Sequence, residues 1–396
     1  MKAPVVIVGA GPVGLATALA LAQQGVPVWV IEAEPALTVD PRAGSFHPPT
    51  LEMLAPYGVT EAMQCIGIKV PRWQIRDRKQ GVIVEWDLGL ISDLTPFPYR
   101  FHLEQFRLTP ILYEKLRAFP HAEVMFGVRF LDALQSGDKV MVRTEGDTLE
   151  ASWLIGCDGG RSAVRKLLNT PFEGFTWPER FIVIGTHADL AGSGFTPNAY
   201  VADPQEWAAV FHMPGDRPGG LWRLAFPVHE NEIEEQVLRD QAVEERMQRF
   251  VARPQRYEVP HKGIYRVHQR VAKDWRVGRV LLAGDAAHLN NPLGAFGLNG
   301  GLHDAILLGE YLGRIWRGEA GEELLDLYVR KRRAANVEFV QTQSISNKKL
   351  LEEVDPKARQ QKFDELRRIA DDKEQARDFL IRSSMIWSVR RAAEIV

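Results

Sequence analysis

The first thirty residues constrain the fold more than any other part of the chain. From Ala3 to Ile31 no residue is charged, and Lys2 stands just before this stretch. Secretion signals and membrane-spanning helices share such a pattern. Prolines and glycines, however, divide the stretch into short pieces of different period. These pieces predict a strand at 5–8, a helix at 12–24 and a second strand at 26–31, and we interpret them as a β-α-β unit.

A glycine motif lies at the centre of this unit. Gly9, Gly11 and Gly14 follow the GxGxxG spacing, and Glu32 ends the second strand. Gly9 would permit a tight turn, Gly11 would let the backbone approach a pyrophosphate, and Gly14 would let helix and strand pack closely. The helix N-terminus offers N–H groups to phosphates, and Glu32 can bind ribose hydroxyls. The unit predicts a bound dinucleotide without distinguishing FAD from NAD; a glycine-rich turn that merely packs is the alternative.

Two later segments repeat the order of strand, turn and helix. Trp153–Cys157 predicts a buried strand that runs into Asp158, and Arg165 lies in the first turn of the helix that follows. Arg279–Ala283 predicts a strand that ends near Asp285, ahead of a glycine-rich loop and a long helix. An aspartate at a strand end can accept hydrogen bonds from a polyol, and backbone N–H groups of such a loop can lie against a flat ring. For either motif alone, an aspartate that only caps a helix is the alternative.

Together, the three motifs resemble those of the FAD-dependent aromatic hydroxylases, the single-component flavoprotein monooxygenases of the 4-hydroxybenzoate hydroxylase and phenol hydroxylase type. The resemblance covers most of the chain. It implies that Glu32 binds the adenosine ribose, that Arg42 and Gln105 contact the diphosphate or ribityl part, and that Arg165 belongs to a stretch linked with both FAD and the reduced nicotinamide. The residues that it assigns to the cofactor are Gly9, Gly11, Gly14, Glu32, Arg42, Gln105, Asp158, Arg165, Asp285, Gly294, Gly297, Leu298 and Asn299.

The chemistry that this resemblance implies is carried by the cofactor and requires no metal. Reduced FAD would react with O2 to give a C4a-hydroperoxide, which delivers one oxygen atom to an electron-rich ring carbon. The protein must exclude water, align the ring and help a phenol to become phenolate-like. A second GxGxxG motif is absent from the sequence, which fits NADH or NADPH docking only transiently. The expected enzyme is an NAD(P)H-dependent FAD monooxygenase that hydroxylates a phenolic or heteroaromatic substrate.

Four residues are nominated around the reacting ring. By resemblance, Pro292 would border the isoalloxazine ring. Tyr200, His212 and Arg223 lie in a predicted sheet, and Tyr200 stands loosely where 4-hydroxybenzoate hydroxylases have a phenol-activating tyrosine. The arginine that binds the substrate carboxylate in those enzymes is missing from its expected place, so Arg223 or His47 would have to replace it. The alternative for each residue is a packing role, since aromatic residues at strand spacing are usually core.

The predicted fold class is α/β, with a Rossmann-like FAD-binding domain, an inserted antiparallel-sheet substrate domain and a C-terminal helical region. The clearest antiparallel signal is a hairpin of strands 208–213 and 221–228 around a turn rich in proline and glycine. The predicted domains are an FAD-binding domain at 1–70, 98–178 and 268–317, a substrate-binding sheet domain at 71–97 and 179–267, and helices at 318–396.

Composition limits which other partners the chain can have. The 49 basic and 51 acidic residues give a net charge of −2, so no overall field draws the chain to nucleic acid or to an anionic membrane. The run Arg330–Arg333 is interpreted as a solvated helix face. Cys65 and Cys157 match neither a disulfide framework nor a metal motif and suit a reducing cytoplasm. The expected partners are a small aromatic substrate and O2, and the resemblance suggests a homodimer.

Two other functional classes stay open at this point. One is a flavin reductase, a dehydrogenase or an isoprenoid epoxidase on the same scaffold. The other is an accessory protein that binds FAD without efficient turnover, although the intact loop at 291–301 speaks against it.

Overall fold

The computed structural model describes residues 2–39 and 43–396. The strands are β1 (Val5–Val8), β2 (Val28–Glu32), β3 (Ser45–Phe46), β4 (Ile68–Val70), β5 (Arg72–Asp77), β6 (Gly81–Asp87), β7 (Arg100–His102), β8 (Ala122–Phe126), β9 (Phe130–Ser136), β10 (Lys139–Thr144), β11 (Thr148–Ala151), β12 (Trp153–Gly156), β13 (Phe172–Thr186), β14 (Asn198–Ala202), β15 (Ala208–Met213), β16 (Leu221–Val228), β17 (His261–Ala272), β18 (Arg276–Val277), β19 (Val280–Leu282) and β20 (His288–Leu289). The helices are α1 (Pro12–Ala22), α2 (Pro48–Leu54), α3 (Val59–Gln64), α4 (Gln105–Leu116), α5 (Ala163–Leu167), α6 (Glu234–Val237), α7 (Asp240–Phe250), α8 (Phe296–Trp316), α9 (Glu323–Ala334), α10 (Thr342–Leu351), α11 (Pro356–Asp371), α12 (Lys373–Ser383) and α13 (Ile386–Glu394).

A parallel sheet forms one half of the molecule. Its strand order is β18-β19-β12-β1-β2-β8, in which all neighbours except β18 and β19 are parallel. All four residues of β1 and of β12 are buried, as expected for strands that are covered on both faces. The predicted β-α-β unit is confirmed as β1, α1 and β2, and α1 is buried almost all round because its residues are small and apolar.

An eight-stranded sheet forms the second half, in the order β20-β17-β13-β16-β15-β14-β5-β6. The predicted hairpin is confirmed: β15 and β16 are antiparallel, with Met213 opposite Leu221. One face of this sheet packs on apolar residues of the C-terminal helices, and the other packs on α7. The sheet is longer than the sequence predicts, because β13 begins at Phe172 and β17 runs to Ala272. The division into domains itself stays a prediction.

Two small sheets complete the architecture and were not predicted. One has the strand order β11-β10-β9 and the other the order β3-β7-β4. The C-terminal region is helical, as predicted, from α9 to α13, and Ala335–Gln341 between α9 and α10 is a π-helix. Over residues 2–39 and 43–396, no helix combines the length and the apolar character that crossing a membrane would require.

Candidate functional site

The turn at residues 9–14, called the nucleotide turn below, has two packed glycines and one open one. Gly9 has φ +105°, and a Cβ there would lie 2.6 Å from the carbonyl oxygen of Cys157. A Cβ at Gly14 would overlap the carbonyl oxygen of Gly9. A Cβ at Gly11 would meet no protein atom within 4 Å. The first two positions therefore need glycine for packing, whereas Gly11 faces open space beside the turn.

The N-terminus of α1 lies at this open space and carries no cap of its own. Gly11 is its N-cap residue, so no side chain caps the helix, and its first turn holds no acidic residue. The N–H groups and the positive end of the helix dipole are thus available to an anion. Glu32 lies beside the turn, where its Oε2 accepts the Ala10 N–H at 2.7 Å and its Oε1 accepts the Glu34 N–H at 3.0 Å.

A second uncapped helix N-terminus lies at the same end of the molecule. A Cβ at Gly301 would lie 2.7 Å from Val13, and one at Gly309 would overlap Ala20. These pairs show that α8 runs parallel to α1 at close range. Ala295, the N-cap residue of α8, has φ +60° and no side-chain cap bond. The two helices therefore direct two sets of N–H groups to one edge of the parallel sheet.

Asp285 is placed beside the first of these helix ends. It is exposed, although the residues on both sides of it are buried. Gly284 before it has φ +61°, and a Cβ there would lie 2.9 Å from Val13 in the first turn of α1. The Asp285 side chain is thus held on the open side of the sheet edge, close to the nucleotide turn.

Arg165 and Asp158 act within the protein. The Arg165 guanidinium donates to the carbonyl oxygens of Gly160 at 2.7 Å and of Ala286 at 2.8 Å, so it ties the second motif to the third. The Asp158 carboxylate accepts from Ser162 Oγ at 2.5 Å and caps α5, as in the alternative stated for this motif. Burial raises the pKa of Asp158. Both groups position the sheet edge, and a contact with the cofactor stays a prediction for each.

Gln105 and Arg42 are two other predicted cofactor residues. Gln105 is the first residue of α4, and its backbone N–H donates to the carbonyl oxygen of Ala43 at 2.9 Å. Arg42 lies outside the described residues. The segment that begins at Ala43 continues into β3, which pairs with β7 and brings His47 to the N-terminal end of α8.

A buried ion pair behind Gly284 escaped the sequence interpretation. Asp304 on α8 accepts the Gly284 N–H at 3.0 Å, His288 Nε2 at 2.7 Å and Arg332 Nε at 2.6 Å. Burial alone would raise the pKa of Asp304, but Arg332 and His288 hold it below its ordinary value. Arg332 is 5% exposed, so the interpretation of Arg330–Arg333 as a solvated face is wrong for this residue. The sequence gives no local signal for the pair, because its members lie 28 residues apart.

Residues 289–295, called the late turn below, meet side chains from distant parts of the chain. Gly294 has φ +109°. Its N–H donates to the Tyr200 hydroxyl at 3.2 Å, and its carbonyl oxygen accepts His47 Nε2–H at 2.8 Å. Asn299 Oδ1 accepts the His47 N–H at 2.9 Å. Pro292 is exposed while both of its neighbours are buried, so its ring lies on the open side of the turn. Gly297 and Leu298, in the first turn of α8, are half-buried.

The face of the eight-stranded sheet near this turn is aromatic. The Tyr200 ring packs edge-on against Trp73 and Phe211, with 6.0 Å between centroids in both pairs. The Arg100 guanidinium lies 4.3 Å from the centre of the Trp73 ring. Arg223 is opposite Phe211 in the β15–β16 register and so shares this face. The sheet therefore brings Tyr200 and Arg223 to one side, and a catalytic role for either residue stays a prediction.

His212 lies on the opposite face. It follows Phe211 in β15, and successive side chains of a strand point to opposite faces. Its ring stacks on buried Trp222 with 4.5 Å between centroids, and Nε2–H donates to the carbonyl oxygen of Gly219 at 2.9 Å. The structure thus gives His212 the packing role stated as its alternative and separates it from Tyr200.

Comparison with known proteins decides among the functional classes. A family model described as an FAD binding domain matches residues 2–343. A para-nitrophenol 4-monooxygenase from Pseudomonas sp. (strain WBC-3) is 36% identical over 90% of this chain and 89% of that protein. This chain belongs to the FAD-dependent aromatic hydroxylases. The predicted family, fold class and cofactor FAD are confirmed, and the reductase, epoxidase and accessory alternatives are set aside.

Further relatives agree with this assignment. The 6-hydroxy-3-succinoylpyridine 3-monooxygenase from Pseudomonas putida (strain DSM 28022 / S16) is 35% identical over 88% of each chain. The crystal structure of a p-nitrophenol 4-monooxygenase from Pseudomonas putida DLL-E4 superposes with a TM-score of 0.91 and 33% identity, and the match covers 96% of this chain and 97% of that one. The hydroxylase thus shares its fold with this relative over 96% of its length.

The residues of the hydroxylase fit FAD. Gly11 leaves open a space that a side chain would enter, and two uncapped helix N-termini point to the same edge. The first would hold the diphosphate, and the second, with the late turn, would lie against the ring system. Three buried polar atoms near the late turn have no hydrogen-bond partner among the described residues, and they are Ser45 Oγ, His47 Nδ1 and Asn290 Oδ1.

Proposed function

We propose that this hydroxylase uses NADH or NADPH and O2 to hydroxylate an acidic phenol or hydroxypyridine that binds as its anion. The observation that carries the proposal is a buried cation beside Tyr200. Arg100 is 2% exposed, and its Nη1–H donates to Asn198 Oδ1 at 2.5 Å. Among the residues that the structure describes, no carboxylate pairs with it. A buried guanidinium without a counterion favours an anionic ligand.

The histidines near Arg100 carry no positive charge of their own. Burial lowers the pKa of His47 and of His102 to about 3, so both rings are neutral at neutral pH. Arg100 lowers the pKa of His47 further. Positive charge on this side of the late turn therefore comes from guanidinium groups, of which Arg100 lies next to the Tyr200 hydroxyl.

The Tyr200 hydroxyl is arranged to meet a substrate oxygen. Its oxygen accepts a hydrogen bond from the Gly294 N–H, and the Arg100 guanidinium lies nearby. A hydroxyl group has one proton to donate, and the bond from Gly294 leaves that proton unused. It can donate to a phenolate oxygen and hold the substrate ring against the aromatic face of Trp73 and Phe211. An ionised ring oxygen makes the ring carbons more nucleophilic.

Bound FAD would supply the redox chemistry, taking two electrons from NAD(P)H and transferring one atom of O2 to the ring while the other leaves as water. The protein holds the ring, excludes water and keeps the substrate oxygen ionised. The relatives named for p-nitrophenol and 6-hydroxy-3-succinoylpyridine both act on aromatic rings with an acidifying substituent, which supports this substrate class. The choice between NADH and NADPH and a homodimeric state stay predictions.

The test compares an acidic with a neutral phenol. Purified holoenzyme is supplied with NADH or NADPH, and cofactor oxidation, O2 uptake and product are measured with 4-nitrophenol and 4-ethylphenol. We expect 4-nitrophenol, bound as its phenolate, to stimulate oxidation, and Arg100→Met to raise its KM at least tenfold, about 1.4 kcal/mol of binding. Equal stimulation by 4-ethylphenol, or an unchanged KM in Arg100→Met, would contradict the anionic substrate class.

A further inference from the structure

The late turn is an irregular, partly buried backbone segment, and its shape depends on side chains from elsewhere. Buried N–H and C=O groups must be hydrogen-bonded, but this segment has no strand or helix partner after Leu289. Tyr200 and His47 satisfy Gly294, as described above. The groups on the other side of the turn, at Leu289, Asn291 and Leu293, are satisfied from a different direction.

Side chains from β17, from the π-helix Ala335–Gln341 and from α10 hold these groups. Gln269 Oε1 accepts the Asn291 N–H at 3.0 Å. Gln341 Nε2 donates to the Leu289 carbonyl oxygen at 3.2 Å, and Asn347 Nδ2 donates to that of Leu293 at 3.2 Å. Three amide side chains thus hold alternate residues of the late turn. We call Gln269, Gln341 and Asn347 the amide clamp.

Gln269 links the late turn to Gln341 and to α10. It lies on β17 and is 2% exposed. While its Oε1 accepts from Asn291, its Nε2 donates to Gln341 Oε1 at 2.6 Å and to Ser344 Oγ at 3.0 Å. Asn291 Oδ1 in turn accepts the Leu293 N–H at 3.1 Å. A change at Gln269 would therefore reach both the turn and the helices.

The helical members of the clamp depend on an unusual piece of backbone. Gln341 is the last residue of the π-helix Ala335–Gln341, and Asn347 lies on α10, which follows directly. A π-helix shifts the register of the residues after it and is frequent at functional sites. In the same segment, the Phe339 ring packs edge-on against Phe296 at the start of α8, with 5.3 Å between centroids. The register shift thus places this helical segment against the turn.

We propose that the amide clamp positions the late turn for hydroxylation, with Gln269 as its central positioning residue. The inference rests on the proposed function, in which Pro292 and Gly294 border the isoalloxazine ring of bound FAD. The clamp fixes where the substrate ring and the oxygen-transferring group meet, and a displacement of about 1 Å is enough to lower a rate strongly. When the clamp is lost, NAD(P)H and O2 are still consumed, but both oxygen atoms leave as H2O2 and the ring is not hydroxylated.

Two readouts test the clamp, one with and one without turnover. The first is the ratio of H2O2 to hydroxylated product in the holoenzyme. The second is hydrogen exchange of the amides of residues 289–295 in the apoprotein, measured by mass spectrometry. Gln269→Met keeps the length of the side chain but removes the acceptor and the donor, and we expect the ratio to rise at least threefold and exchange to quicken at least tenfold. Asn347→Leu, at a half-buried site, should change both readouts in the same direction.

A conservative variant and a matched control separate positioning from general damage. Gln269→Glu keeps an acceptor for the Asn291 N–H and should restore part of the coupling that Gln269→Met loses. Gln74 is a buried glutamine of the same sheet whose amide binds Glu85 and Arg76, away from the turn. Gln74→Met should keep the peroxide ratio and the exchange of 289–295 within twofold of the wild type.

The outcomes distinguish the clamp from the proposed function. If the wild type hydroxylates a substrate while Gln269→Met and Asn347→Leu keep its peroxide ratio and exchange, the clamp is wrong and the proposed function stands. If no phenol stimulates the wild type, the proposed function fails, and exchange in the apoprotein still decides whether the amides hold the turn. If Gln269→Met does not fold, Asn347→Leu and Gln269→Glu carry the same comparison.

Discussion

The nucleotide turn and the late turn both contain glycines with positive φ, but they are held in different ways. In the nucleotide turn, Gly9 and Gly14 are fixed by close contact with backbone of the same β-α-β unit and of the neighbouring strand. In the late turn, Gly294 is fixed by Tyr200 and His47, which lie 94 and 247 residues away in sequence. A turn that is packed by backbone tolerates change in its surroundings, whereas a turn that is held by side chains depends on every segment that supplies one.

Acidification should cause the largest loss of stability, and this loss should be located at the late turn. Burial lowers the pKa of His47, His102 and His303 to about 3, well below the value of 6.5 in an unfolded chain. Between these values only the unfolded state is protonated, so the free energy of unfolding falls as pH falls below 6.5. Each histidine should contribute about 1.4 kcal/mol per pH unit.

Denaturant unfolding of the apoprotein at pH 7, 6 and 5 measures this loss. Hydrogen exchange at pH 5 then locates it, because His47 contacts Gly294 and His303 contacts Thr50 beside Asn299. The late turn should exchange before the nucleotide turn. A flat stability between pH 7 and 5, or earlier exchange of the nucleotide turn, would contradict this difference.

Asp304→Ala should be the most damaging single substitution. It leaves the Arg332 guanidinium buried without its carboxylate and removes the acceptor of the Gly284 N–H. We expect a loss of about 3–5 kcal/mol in the free energy of unfolding. Asp326→Ala is the matched control, since Asp326 pairs with Arg276 at 3.0 Å but is 61% exposed, and it should cost less than about 1 kcal/mol. Similar losses of stability in both variants would contradict a larger contribution from the buried Asp304 pair.

Within the nucleotide turn, Gly14→Ala and Gly11→Ala should act on different quantities. The added methyl group at Gly14 overlaps the Gly9 carbonyl oxygen, so the apoprotein should lose about 3 kcal/mol or more. The methyl group at Gly11 enters open space, so stability should change by less than about 0.5 kcal/mol while FAD binding weakens at least tenfold. Thermal unfolding of the apoproteins and flavin titration measure the two effects. Unchanged flavin affinity in Gly11→Ala would contradict the site.

Tyr200→Phe should cost less stability than Asp304→Ala or Gly14→Ala. It removes the acceptor of the Gly294 N–H while keeping the ring, so the free energy of unfolding should fall by about 1 kcal/mol. Because the substrate oxygen also loses its donor, hydroxylation should fall at least tenfold. Tyr113→Phe, in a ring that packs on Phe126 in the nucleotide-binding half, is the control and should leave both quantities unchanged. Normal hydroxylation by the Tyr200→Phe variant would exclude the Tyr200 hydroxyl from substrate binding.

The sequence alone determined the nucleotide half and the family. Strand, turn and helix at residues 5–32 lie close together in sequence, and glycine is the residue type that their contacts demand, so spacing was enough to predict the unit. The hairpin of β15 and β16 was predictable for the same reason, because its turn and its alternation are local. The resemblance named FAD and assigned Asp285 and Asn299 to its binding.

Only the tertiary structure decided which side chains share a site. Strand register placed Tyr200 on the same face of the sheet as Phe211, and His212 on the opposite face. Phe211 and His212 are adjacent in sequence, so only the register shows which of the two shares a face with Tyr200. Asp304 with Arg332, Arg100 beside Tyr200, and the amides on the late turn come together from distant segments. Contacts of this kind depend on how sheets and helices pack against one another, and that packing leaves no period or motif in the chain.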